Sequence, residues 1–290
     1  MTMAKITPAV EQLISEALAI EAESAQDAGA LGFMARAMVQ ATLPHRKVAG
    51  SHFQRRNGNF TLTLLAPPEP GLPYGSVPRL LLAWLTTEAV RTKQRELELG
   101  DSLSSFMREL SMVPTGGRWG SITRLKDQTG RLFGSTVSLT YSDADKRAEK
   151  GFRLADESVL WWDPKTPDQA SLWKSTVTLS EKFFAEVTER PVPVDMRALR
   201  ALKKSSLALD IYTTLTHRAS YLTKPSTVTW AGLAGQFGSD YAELRDFKKT
   251  FIAELRKVST VYAGVNVEVT DVGLVIKPTL TQVPPKKIKP

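Results

Sequence analysis

Cysteine is absent from this 290-residue chain, which excludes disulfides and thiolate metal sites. Histidine is scarce. His45, His52 and His217 never fall as His-x-His or His-x-x-x-His, the spacings that bring two imidazoles to one metal. Any metal would have to rest on scattered carboxylates, and solvation accounts for Asp143 and Asp145 in their charged stretch. Six tyrosines are present, but a relaxase-type nicking centre also needs the missing histidine pair. No Gly-x-x-x-x-Gly-Lys run exists, so the chain is not a P-loop ATPase. No apolar run approaches the roughly 18 residues that span a bilayer. Met1 to Ala30 is acidic and amphipathic, without the basic start and apolar block of a secretion leader. These absences predict a protein that is not an enzyme, needs no cofactor and stays off the membrane, in a reducing cytoplasm.

What the chain does have is positive charge. Lysine and arginine number 38 against 30 acidic residues, a net +8, with an isoelectric point near 9.6. That balance favours an anionic partner, nucleic acid above all. The charge is uneven: Glu11, Glu16, Glu21, Glu23 and Asp27 make the first segment acidic, while cations gather at Arg46 to Arg56, after Gly117, and at Arg197 to Lys204.

An order of elements recurs. A long helix, a short extended piece, a short helix, a basic helix and a pair of strands run from about Arg79 to Thr178, and again from about Asp195 to Lys277. This is the element order of a winged helix, and the predicted fold class is α+β, helix-rich: two tandem winged-helix domains with an N-terminal helical extension. Residues 3 to 40 read largely as helix, and 44 to 58 as a basic, turn-rich linker or arm. Asp101 is placed to cap the helix Ser102 to Met112, and Asp240 with Glu243 forms a capping-box-like start for the helix Tyr241 to Lys257. Asp195 to Ser220 reads as one long helix. Thr136 to Tyr141 reads as a strand and Ser142 to Gly151 as a charged loop, the basic tip of a wing. Ser158 to Trp162 and Leu172 to Thr178 supply further strands, with Trp161 and Trp162 assigned to core or interface. The second wing is Val265 to Val269 with Leu274 to Lys277. The expected division is 1–57 for the N-terminal helix and linker, 58–190 for the first winged helix, 191–280 for the second, and 281–290 for a disordered basic tail.

The candidate site follows from helical periodicity. From Arg118 to Phe133, Trp119, Ile122, Leu125, Thr129, Leu132 and Phe133 share one arc, and Thr123, Arg124, Asp127, Gln128 and Arg131 the other. Lys126 falls nearer the apolar arc and is not expected to read bases. Arg124, Gln128 and Arg131, at i, i+4 and i+7, are the base-reading candidates, because arginine pairs with guanine and glutamine with adenine through two bonds each. In the second basic helix Leu244, Phe247, Phe251, Ile252 and Leu255 are expected inward and Arg245, Lys249 and Arg256 outward as base readers. Ser121, Thr123 and Lys257 are expected on phosphates, and Arg118 and Thr250 complete the DNA-binding set. An ordinary solvated helix face explains the same pattern more blandly.

Two stretches carry a family resemblance. Leu72-Pro73-Tyr74-Gly75-Ser76-Val77-Pro78-Arg79, continuing through Leu80 to Trp84, and Pro114-Thr115-Gly116-Gly117-Arg118-Trp119-Gly120 resemble plasmid replication initiators of the RepA type. The likeness spans about Ser51 to Pro278. It implies tandem winged helices that bind repeated origin sequences (iterons) in double-stranded DNA, melt an adjacent AT-rich segment and recruit the host initiator and replicative helicase. It also implies a homodimer that represses the initiator's own gene, hence plasmid copy control, and a monomer that starts replication. Two other readings remain open: a winged-helix transcriptional repressor or partition adaptor on one operator, and a protein-interaction scaffold whose charge is incidental. The acidic N-terminal helix either contacts a host protein or packs on the first domain.

Overall fold

Small polar caps and helix-breaking residues set where the elements begin. The computed structural model describes residues 7–161, 165–169, 174–238 and 241–283. It opens with helix α1 (Pro8–Ala22), strand β1 (Leu31–Met34) and the short helix α2 (Arg36–Gln40). Strands β2 (His52–Asn57) and β3 (Phe60–Leu65) precede helix α3 (Ser76–Thr92), strand β4 (Glu96–Glu98), helix α4 (Leu103–Glu109) and helix α5 (Ser121–Phe133). Strands β5 (Thr136–Ser142), β6 (Arg147–Arg153), β7 (Ala155–Val159) and β8 (Thr176–Leu179) lead to helix α6 (Glu181–Glu189) and strand β9 (Val192–Asp195). Helices α7 (Met196–Leu202) and α8 (Ser206–Ala219), strand β10 (Ser226–Thr229), helices α9 (Trp230–Phe237) and α10 (Leu244–Val261), and strands β11 (Val267–Val269) and β12 (Gly273–Ile276) complete it. Side-chain oxygens of Ser102, Ser180, Asp195 and Ser205 accept backbone N–H bonds at the starts of α4, α6, α7 and α8, each worth about 1 kcal/mol.

Contacts gather the chain into two units. One is Phe33–Val192 with Gly235–Ser239; the other is Met1–Gly32, Pro193–Ala234 and Asp240–Pro290. The first holds α3, β4, α4 and α5, then a sheet of order β4-β8-β7. The run from α8 to β12 repeats that plan with a sheet of order β10-β12-β11. In both, the first strand pairs with the third and the third with the second, all antiparallel, which is winged-helix topology. The first unit departs in one respect. The hairpin β5–β6 intervenes between α5 and β7, and it joins β2–β3 in a four-stranded antiparallel sheet of order β2-β3-β5-β6.

Helix α3 is the centre of the first unit. Leu80 to Leu85 are all buried, so the helix is apolar all round and packs on both α5 and α6. Burying each leucine contributes about 1.5–3 kcal/mol. Trp84 meets Phe106 edge-on at 5.0 Å and donates its indole N–H to Glu109 at 2.7 Å, so the one polar atom of this aromatic pair is satisfied. In the second unit α10 packs on α8 and α7, burying Phe247, Phe251, Leu255 and Val258, with Trp230 edge-on to Phe251 at 6.0 Å. Helix α1 packs on α7 and α10, and Arg197 ties its end down by donating to the Glu23 carbonyl at 2.8 Å.

Several expectations are corrected. The N-terminal helix ends at Ala22 and sits with the second unit, not on the first domain. Residues 33–57 belong to the first unit, and the expected basic arm contains strand β2, whose His52–Asn57 pairs in full with Phe60–Leu65. The charged loop after Ser142 is mostly strand β6, and the three-stranded winged sheet is closed by β7 and β8 instead. The single long helix breaks at Lys203–Ser205, where Ser205 caps a new one. Ser102, not Asp101, caps α4. Asp240, Trp162 and the tail from residue 284 lie outside the described residues, and α10 starts at Leu244 without a side-chain cap bond. Leu244, expected inward, is 48% exposed, and Trp161 is 52% exposed.

Two buried phenols link this fold to pH. Tyr212 donates to Gln282 at 2.6 Å and accepts from the Asp195 N–H at 2.9 Å, while Tyr262 donates to the Leu280 carbonyl at 2.9 Å. Burial pushes the Tyr262 hydroxyl from 10.0 up to about 12 and raises Tyr212 as well. The unfolded chain therefore releases these protons from about pH 10 upward while the folded one holds them. Their stabilisation is full below pH 10 and falls as pH climbs towards 12. Urea midpoints between pH 8 and 11.5 should drop at the alkaline end, and Tyr262→Phe should make that drop shallower.

Candidate nucleic-acid interface

The turn into α5 is fixed by a closed set of hydrogen bonds. The Ser121 hydroxyl accepts from the Thr115 N–H at 2.9 Å and donates to the Val113 carbonyl at 2.6 Å, and the Thr115 hydroxyl accepts from the Ser121 N–H at 2.9 Å. Thr123 donates to the Gly117 carbonyl at 2.9 Å. Gly117 takes a left-handed φ of +85°, and a Cβ on Gly120 would lie 2.2 Å from the Thr115 carbonyl, so this turn needs both glycines. Ser121 is only 5% exposed and its oxygen is fully engaged, which removes it from the expected phosphate contacts. Thr123 remains exposed.

The C-terminal half of α5 is covered by the segment from Pro67 to Tyr74. The Tyr74 N–H donates to Gln128 Oε1 at 2.8 Å, and Gln128 in turn donates to Asp127 at 3.0 Å. Arg131 donates to Asp127 at 2.8 Å and to the Leu72 carbonyl at 3.3 Å, its guanidinium 5.4 Å from the centre of the Tyr74 ring. Gly71, at φ +90°, leaves room for that guanidinium, since a Cβ there would stand 3.0 Å from Arg131 Nη1. Gln128 is 4% exposed and the Arg131 side chain 11%. These two expected base readers are latch residues instead, because the polar face of the wheel meets a polar loop rather than solvent.

Three cations stay open at the N-terminal half: Arg118, Arg124 and Lys126 are all exposed. Lys126 was expected to extend along the surface to solvent, though not to read bases. Trp119, expected on the buried arc, is 82% exposed, with the Arg118 guanidinium 5.2 Å from its ring centre. The signal for this was Gly120: a helix that begins at Ser121 leaves Trp119 outside its periodicity.

The second basic helix matches expectation more closely. Arg245, Lys249 and Arg256 are exposed and fall within about 40° of one another on the wheel, opposite Phe247, Phe251 and Leu255. Arg245 lies 3.9 Å from Asp246, a loose pair on a side chain 89% exposed. Lys257 is exposed but paired with Glu254 at 2.6 Å. Thr250 is half-buried and spends its hydroxyl on the Asp246 carbonyl at 2.9 Å. Lys248 lies 4.9 Å from the Trp230 ring centre.

Among the described residues no cluster of His, Asp and Glu could hold a metal ion, and no helix is long and apolar enough to cross a membrane. The sequence model of the plasmid-encoded RepA protein family matches residues 72–231, more than half the chain. The chain belongs to this family of plasmid replication initiators. The match begins at the latch segment, Leu72, and runs through α5 to the start of α9. A solved structure of domains 2 and 3 of RctB is similar in fold, with a TM-score of 0.56 at 14% identity over 83% of this chain and 95% of that one. No curated protein matches.

The latch and the open cations of this RepA-family chain should separate by mutation. Gln128→Ala leaves the Tyr74 N–H without its partner and should cost about 1–3 kcal/mol in urea unfolding. Arg124→Ala, on an exposed side chain, should change stability by less than about 0.5 kcal/mol.

Proposed function

We propose that this protein initiates plasmid replication as a sequence-specific binder of duplex DNA at repeated origin sequences, with no catalytic step of its own, in the cytoplasm. The observation that carries the reading is that each winged helix leaves cations exposed on the helix that follows its turn, as a row along one face in the second unit. In the second unit that row is Arg245, Lys249 and Arg256. In the first the exposed cations are Arg124 and Lys126, with the exposed Thr123 beside them, on the N-terminal turns that helix-turn-helix proteins bring to base edges. Arg118 and Lys257 are assigned to phosphates, and the recruited partners to the host initiator and helicase. Melting of adjacent AT-rich DNA and repression by a dimer complete the proposal.

Selection from a random duplex library, followed by footprinting, tests it. A repeated motif should emerge, and affinity should fall steeply with salt, by about 0.9 log units per log unit of salt for each phosphate neutralised. Arg245→Ala should relax one position at a cost of about 1–3 kcal/mol, whereas Lys257→Ala should weaken all sequences alike. Permanganate reactivity beside the site reports melting; an unreactive flank would reduce the protein to an operator binder. Failure to enrich any motif would falsify the reading.

A further inference from the structure

We infer that Trp119 is a stacking platform for an unpaired nucleobase, a role that rests on α5 facing DNA as proposed above. The indole is 82% exposed although it directly precedes a helix whose apolar side is buried. A lone exposed apolar side chain is ordinary on a protein surface, but this one is an indole, a residue enriched at contact surfaces because it joins a large apolar face to a polar N–H, and it sits beside a guanidinium.

It cannot swing into the interior easily. The following residue, Gly120, has its Cβ position 2.2 Å from the Thr115 carbonyl, and the Thr115–Ser121 bonds clamp the turn on which Trp119 stands. The Arg118 guanidinium lies over the ring at 5.2 Å, which supplies one face with a cation and leaves the ring free to take a second flat partner. On the turn that carries it and the first turns of α5, Arg118, Thr123, Arg124 and Lys126 are exposed, and so is Val113. Three cations, Arg118, Arg124 and Lys126, stand against two exposed apolar side chains, Trp119 and Val113, a stretch more cationic than the apolar core of a protein–protein interface. A flat π-face set among phosphate-seeking cations matches a base on its sugar-phosphate strand.

The base must be unpaired, because in a closed duplex both faces of each base are already stacked. No Gly-x-x-x-x-Gly-Lys phosphate-binding run occurs in the sequence. An opened strand is stabilised by what binds it, and a fixed indole favours the open strand over the closed one.

The test uses the full chain and its Trp119→Ala and Trp119→Phe variants on three probes: a 30-base-pair duplex, the same duplex with a central bubble of six unpaired thymines, and oligo(dT). Trp119→Ala should lose about 5- to 100-fold in affinity for the bubble and for oligo(dT), with duplex affinity changed less than about twofold and an unaltered melting midpoint. Trp119→Phe should keep most of the affinity, and the fluorescence it subtracts from the parent should be the part quenched by oligo(dT). Equal losses on all three probes, or none on any, overturn the stacking role while leaving duplex binding intact. If the parent chain binds no DNA probe at moderate salt, the stacking role and the proposed function fall together.

Discussion

Everything on the first basic helix depends on how α5 is held at both ends by polar bonds. At its start Thr115 and Ser121 exchange hydroxyl and amide bonds across the turn, and near its end Gln128 and Arg131 bind the backbone of Leu72 and Tyr74. The apolar side of the helix would by itself fix only which face goes inward. The polar holds fix its rotation, its register against the preceding segment, and which of its cations remain free. A partly buried N–H such as that of Tyr74 is costly to leave unpaired, so the latch excludes alternatives as well as stabilising the fold.

The same bonds account for the family stretches. Within Leu72 to Arg79, Leu72 and Tyr74 offer backbone atoms to α5, and Gly75 adopts φ +78° before the helix begins. Arg79 turns inward, 4% exposed, and donates to the carbonyls of Leu43 and Gly75 at 2.7 Å each. This arginine is thus a buried backbone clamp. Its five donors in a planar fork suit it to several carbonyls at once. Net charge alone overstates the cation available to a partner, since Arg79 and Arg131 are spent on the fold.

Much of this architecture was legible in the chain, and the exceptions have physical reasons. Helix periodicity located α3, α5 and α10, and the winged order was readable because it is local in sequence. Pairings between distant segments were not: nothing in His52 to Asn57 says that it joins a sheet with residues 136–153, and its charges argued for a linker. The wheel separated polar from apolar arcs of α5 correctly at Leu125 and Leu132, yet could not tell solvent from a polar loop, and so Gln128 and Arg131 were assigned to DNA. In α10 no such loop covers Arg245, Lys249 and Arg256 among the described residues, and there periodicity alone found the exposed row.

This difference divides the two helices' capacity to read DNA. From Arg245 to Arg256 the open row of α10 runs eleven residues, about 17 Å at 1.5 Å per residue, comparable with several base-pair steps. The open part of α5, Thr123 to Lys126, spans about 5 Å, because the latch closes the remainder. On the proposed reading α10 therefore carries most of the base discrimination. The short, rigidly turned start of α5 is left to phosphates and a small number of bases, and to the exposed indole beside it. A helix made rigid by its own polar contacts reads less sequence, but it presents what it has left in a fixed place. Fixed placement is what stabilising an opened strand requires, since a mobile aromatic would lose in ordering much of what stacking gains.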